Sequence, residues 1–96
     1  MTNLNNDGKE VVCTFNKKMD TTECIKIEKD INDRVKNAKN IVFDLTDVEY
    51  IASSFLRICV KAAQGVEKGN FKIINAAASI SKVFKISGLY DTLNIS

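Results

Sequence analysis

Residues 1–8 are rich in asparagine and read as a loose arm or a short edge strand. The first apolar run, Val11-Val12-Cys13-Thr14-Phe15, is β-branched and aromatic and predicts a strand. After Lys17-Lys18-Met19, the stretch Asp20-Thr21-Thr22-Glu23 has the form of a helix N-cap with a glutamate three residues on. The helix it opens repeats apolar residues at Cys24, Ile27, Ile31 and Val35, while Glu28, Lys29, Asp33 and Lys36 form a solvated face. Asn40-Ile41-Val42-Phe43-Asp44-Leu45 stops at Thr46-Asp47, the mark of a buried strand with an exposed carboxyl end. Val48-Glu49-Tyr50-Ile51 extends it as a short turn or bridge.

Ser53-Ser54 precedes a second helical stripe, Leu56, Cys59, Val60 and Ala63, and that helix is expected to end in 66–70 with Gly69 as its C′ residue. Phe71–Asn75 reads as a third strand. Ser79 is placed to cap a short helix with Ile80, Val83 and Phe84 inward and Gly88 closing it, and Leu93-Asn94-Ile95 begins a last strand. The order β-α-β-α-β-α-β predicts one α/β domain over residues 1–96, a mainly parallel sheet with right-handed crossovers and packed helices. In such sheets partners meet the loops at the carboxyl ends of the strands, which points to Asp44–Ser54.

Composition narrows the function classes. A chain of 96 residues, 45% apolar and 27% charged, has room for one core and is too apolar to be disordered. Its formal charge of +2 is too small to argue for nucleic acid, although residues 49–96 carry 6 basic against 3 acidic side chains. Histidine is absent, which excludes Ser–His and Cys–His catalysis and argues against the usual zinc, iron and haem sites. Cys13, Cys24 and Cys59 cannot all pair, share no CxxC spacing and fall in apolar patterns. They read as reduced core thiols, hence a cytoplasmic protein. No apolar run approaches the ~20 residues of a membrane span, and the polar amino terminus has no leader-like form.

Little in the chain can carry chemistry of its own. There is no phosphate-cradling glycine loop, and with four glycines one is hard to build. Asp44 and Asp47 are a conceivable magnesium or acid–base pair and, with the serine hydroxyls, the only basis for a nucleotide-binding or hydrolysing protein; the structural reading, local hydrogen bonding to backbone amides, outweighs it. No catalytic residue, metal or cofactor is expected. Ser53-Ser54 is different in kind. One hydroxyl can cap the helix while its neighbour faces solvent, and a phosphate is well tolerated at a helix N-terminus.

The stretch from Ile41 to Leu56, with Asp44-Leu45-Thr46, Val48, Tyr50-Ile51 and Ser53-Ser54 in order, resembles the signature of STAS domains, the anti-sigma factor antagonists and their relatives. Met19-Asp20 is similar to the family's residues before its first helix, and Ile86-Ser87-Gly88-Leu89 to its motif before the last strand. The resemblance implies a STAS-like fold, a small mixed, mainly parallel sheet packed with three or four helices. It also implies a partner-switching regulator, not an enzyme. Such a regulator binds an anti-sigma factor or related serine kinase, is phosphorylated on the first serine of the pair, and is reset by a phosphatase. By position that serine is Ser53, with Ser54 second. The implied partner face contains Asp20, Asp47, Ala52, Ser53, Ser54, Phe55 and Arg57.

Three of those positions depart from the family pattern. Ala52 stands where an acid is expected, Phe55 where a glycine is expected, and Arg57 where many relatives have a small residue. Phe55 is thus expected to present an obstacle or a new apolar knob to a partner. The chain ends near where relatives continue into a last strand and terminal helix. An alternative carried by Ala52 and Phe55 is a divergent, unphosphorylated STAS protein. It would serve as a constitutive binding subunit of a stressosome-like or lipid-transport assembly.

Overall fold

The strand Asn40–Asp44 (β3) lies at the centre of a three-stranded sheet, between Glu10–Thr14 (β1) and Phe71–Ile74 (β5), in a computed structural model that describes residues 10–67 and 69–95. Both pairings are parallel, with Val12 opposite Val42 and Phe43 opposite Ile73. Parallel neighbours need crossovers, and helices supply them: Thr21–Val35 (α1) between β1 and β3, Ser53–Gln64 (α2) between β3 and β5. A third helix, Ala78–Ile86 (α3), follows β5, and the expected last strand is reduced to one parallel bridge between Ile73 and Ile95. The expected arm over residues 1–8 lies outside the described residues.

Side-chain alternation along the strands decides where the core forms. Cys13, Ile41, Phe43, Phe71 and Ile73 point to one face, where they join Cys24, Ile31 and Val35 of α1, Phe55, Ile58, Cys59 and Ala62 of α2, and Ile80 and Phe84 of α3. Four aromatic rings form its centre. Phe43 meets Phe15 at 4.9 Å and Phe71 at 5.0 Å, both edge to face, and Phe15 meets Phe55 at 5.0 Å in the same manner. Such pairs add to the area they bury. The three thiols are free and buried, and desolvation raises the pKa of each, so they are packing groups rather than nucleophiles.

Helix ends follow local chemistry, with two differences from expectation. Gly88 (φ 77) closes α3: its N–H donates to Lys85 and that of Leu89 to Phe84, the paired bonds of a Schellman cap. Ser79 does not cap α3, because Ala77 holds the N-cap position and Ser79 falls in the first turn. Gly69 does not close α2 either; the helix ends at Gln64 with Gly65 as its cap, and Gly69 (φ 92) belongs to the turn entering β5.

At the carboxyl end of β3, Asp44 ties two loops together. Its Oδ1 accepts from the Thr46 N–H at 3.0 Å, from the Thr46 hydroxyl, and from Asn75 Nδ2 at 3.1 Å. Asn75 reaches it from a left-handed turn (φ 61) after β5, a conformation asparagine tolerates. These donors, the Thr46 hydroxyl first, hold the Asp44 carboxyl below its ordinary pKa. The reading of Asp44 as a structural carboxylate bonded to a local backbone amide holds.

Two outcomes test this account. Phe55→Ala is expected to lower stability by about 3–5 kcal/mol in urea unfolding, and Phe55→Leu by clearly less. Asp44→Asn should lower the urea midpoint at pH 7. Because the folded-state pKa is depressed, the stabilisation from Asp44 is present above its unfolded value, about 4, and is lost as pH falls through the folded value. The gap between wild type and variant should therefore close below about pH 4.

Candidate functional site

Two short strands build the site. Lys18–Met19 (β2) and Tyr50–Ile51 (β4) pair in parallel, Lys18 opposite Tyr50 and Met19 opposite Ile51. Met19 and Ile51 are buried, which anchors a pair too short to persist alone. The pairing continues past both ends: Lys17 O accepts from the Glu49 and Tyr50 N–H groups at 2.7 and 3.1 Å, and Met19 O from the Ala52 N–H at 2.9 Å. Each strand runs straight into a helix. Asp20, the N-cap of α1, and Ala52, the N-cap of α2, are therefore set side by side.

The two N-termini are finished differently. Asp20 Oδ1 accepts from the Glu23 N–H at 2.9 Å, closing α1 as its sequence implies. The Glu23 carboxylate turns to Asn16, accepting from its Nδ2 at 2.6 Å. Ala52 has extended N-cap geometry but offers no side-chain acceptor, and the first turn of α2 holds no acidic residue. The start of α2 is thus a cluster of backbone N–H groups without a side-chain partner, at the positive end of the helix dipole.

The rotation of α2 decides which serine is available. Phe55, Ile58, Cys59 and Ala62 are its buried stripe. At about 100° per residue, Ser53 lies some 200° from Phe55, on the outer face, and Ser54 on the flank. Ser53 is exposed. Ser54 is only partly covered as a residue, but its Oγ is buried without a hydrogen-bond partner. The Cys24 thiol lies beside it, close enough for the hydroxyl to offset part of the burial effect on Cys24. That contact falls short of a hydrogen bond of normal geometry, and the thiol itself donates to Met19 O at 3.7 Å.

The expected partner face is therefore only partly assembled. Asp20, Ala52 and Ser53 are brought together by the β2–β4 pair, and exposed Arg57 stands one helical turn beyond Ser53. Asp47 is exposed in the turn that the Val48 N–H closes onto Leu45 O at 3.0 Å. Phe55 corrects the expectation of a surface knob. Its side chain is 0% exposed and belongs to the aromatic core, so it offers a partner nothing. Tyr50, a residue of the family signature, is 52% exposed beside Lys18 at the edge of the site.

No group of three or more His, Cys, Asp or Glu side chains converges among the described residues. Two surface hollows, about 490 and 460 Å³, gather around the carboxyl end of α2 and share Val66, away from Ser53. No described helix is long and apolar enough to cross a membrane. What the site provides is a solvent-facing surface with the Ser53 hydroxyl exposed at the positive end of α2.

Comparison with known proteins agrees with this architecture. No curated protein matches the sequence. A solved anti-sigma-factor antagonist (STAS) domain protein from Planctomyces limnophilus superposes with a TM-score of 0.75 over 83% of this chain and 72% of its own. Its sequence is 18% identical, so the likeness is one of fold. The family model of the STAS domain matches residues 2–96, and with the parallel sheet, its three helices and the serine pair at the start of α2 in place, the chain belongs to the STAS domain family.

Proposed function

We propose that this protein is an anti-sigma factor antagonist-like regulator without catalysis of its own, docking an anti-sigma factor or related serine kinase on the face around Ser53. The observation that carries the reading is the contrast within the serine pair. Ser53 is exposed at the first position of α2, whereas the Ser54 oxygen is buried. A kinase reaches one hydroxyl and not its neighbour. In the modification, Ser53 Oγ forms a bond to the γ-phosphorus of ATP held by the kinase, ADP leaves, and the hydroxyl proton passes to a base of the kinase. A phosphatase reverses the change by hydrolysis.

Electrostatics favours a switch that leaves the domain folded. Phosphorylation adds about −1.5 to −2 charges. At this end of α2 that charge meets first-turn N–H groups that no side chain caps and a favourable dipole. The partner meets a docking surface whose charge has been inverted at its centre. Tyr50, Lys18 and Asp20 supply the surrounding contacts, and reduced buried thiols fit a cytoplasmic setting.

The missing acid at position 52 bears on this reading. Residue 52 is the N-cap of α2, so a carboxylate there would serve the helix amides. Its loss is a loss of helix capping before it is a loss of kinase contact. The alternative of a constitutive binding subunit rests on Ala52 alone, because Phe55 is internal.

Incubation with a kinase-type anti-sigma factor and ATP, followed by peptide mass spectrometry, should place one phosphate on Ser53 and none on Ser54. Ser53→Ala should abolish it. Ser53→Asp should weaken binding of the unmodified partner at least about tenfold, the loss of a central contact of about 1.4 kcal/mol. No modification by a kinase that binds the protein, or unchanged binding by Ser53→Asp, would overturn the switch and leave the constitutive subunit. Separately, Ala52→Asp should raise stability by about 1 kcal/mol in urea unfolding.

A further inference from the structure

Arg57 is not part of the buried stripe of α2. It is exposed, and among the described residues it forms no ion pair; the one recorded bridge is between Arg34 and Asp30 of α1. Its place on α2 is nonetheless specific. The buried stripe of α2 turns Ser53 and Arg57 to the same outer face, four residues apart. Helical side chains lean toward the N-terminus, so an arginine at position 57 is within reach of the turn that begins with Ser53. Residues four apart are neighbours on a helix surface, and the order acid first, base second is the favourable one relative to the dipole.

We infer that Arg57 is the built-in counter-ion of a phosphate on Ser53, folding back to pair with it across the first turn of α2. This rests on the proposed phosphorylation of Ser53. A guanidinium matches phosphate with two parallel N–H donors, and the N-terminal amides of α2 complete the cradle from the other side. Ala52 suits the arrangement, since an acid at that position would stand next to the phosphate and repel it. The other charged groups near the site are Lys18 and Asp20 on the β2–α1 junction, Glu23 and Glu28 on α1, Asp47 and Glu49 before β4, and Lys61 a further turn along α2. Only Arg57 is set one turn from Ser53 on its own helix face.

The pairing changes what the modification does to a partner. Phosphorylation adds negative charge at Ser53 and at the same time withdraws Arg57 from the surface. A partner that met a hydroxyl and a free guanidinium would lose both.

The test installs phosphoserine at position 53 during synthesis, so the result does not depend on any kinase. The second phosphate ionisation, near 6 for a free phosphoserine, is followed by ³¹P NMR in the otherwise native chain and in Arg57→Gln. It should be lower in the native chain by about 0.3 unit or more, with the difference shrinking at about 0.5 M salt. Arg57→Lys should retain part of the effect, and Arg57→Glu should move the ionisation above that of Arg57→Gln. Circular dichroism of the unphosphorylated variants confirms that each is folded. Equal ionisation in the native chain and folded Arg57→Gln would overturn the pairing. A partner kinase that leaves Ser53 unmodified overturns the proposed function instead, and the ³¹P difference is read independently of it.

Discussion

Two residues of β2 and two of β4 set the geometry of the whole site. So short a pair contributes few hydrogen bonds and holds only because Met19 and Ile51 are driven into the core beneath it. Its effect reaches much further than its size. By running each strand directly into a helix, it brings two helix N-termini abreast, with two sets of unpaired amides and two positive dipole ends. One is answered by the Asp20 carboxylate. The other, at Ala52, is left open, and that is where Ser53 stands.

Core packing then decides what the open end displays. Phe55 enters the cluster of Phe15, Phe43 and Phe71, and a helix committed to burying one side chain has its remaining faces assigned. Ser53 and Arg57 go outward together and Ser54 goes to the flank, where its oxygen is covered. The identity of the available serine is thus a consequence of an aromatic side chain that never touches solvent. The fold and the proposed switch are coupled through the rotation of one helix.

These couplings explain which features could be read from residues alone. The three long strands, α1 and the Asp20 cap were legible because their periods and cap chemistry are strong. The phase of α2 was not. Phe55, Leu56, Ile58, Cys59, Val60, Ala62 and Ala63 make the helix apolar on most sides, so a stripe through Leu56, Cys59, Val60 and Ala63 fits the pattern nearly as well as the observed one. Shifting the phase by one residue turns the helix by about 100° and moves Phe55 from surface to core. The stretch 48–51 reads as a short turn or bridge, but the pairing of β4 with β2 was illegible for a different reason. Two residues show no alternation, and their pairing is a long-range contact that no local pattern contains. Gly65 and Gly69 competed as the end of α2, and the tertiary turn into β5, not the helix, claimed the left-handed one.

The buried thiols give the molecule its own record of motion. Cys13 lies in β1, Cys24 in the first turn of α1, and Cys59 in the middle of α2, all nearly inaccessible and held protonated by burial. An alkylating reagent can reach each only after the segment that covers it has opened, so the labelling rate of each thiol measures the opening of its own neighbourhood. Cys24, packed beside Ser54, reports on breathing at the proposed docking face; Cys59 reports on the interior side of α2. A partner that clamps the two helix ends would slow the first clock while the second kept the time of the fold.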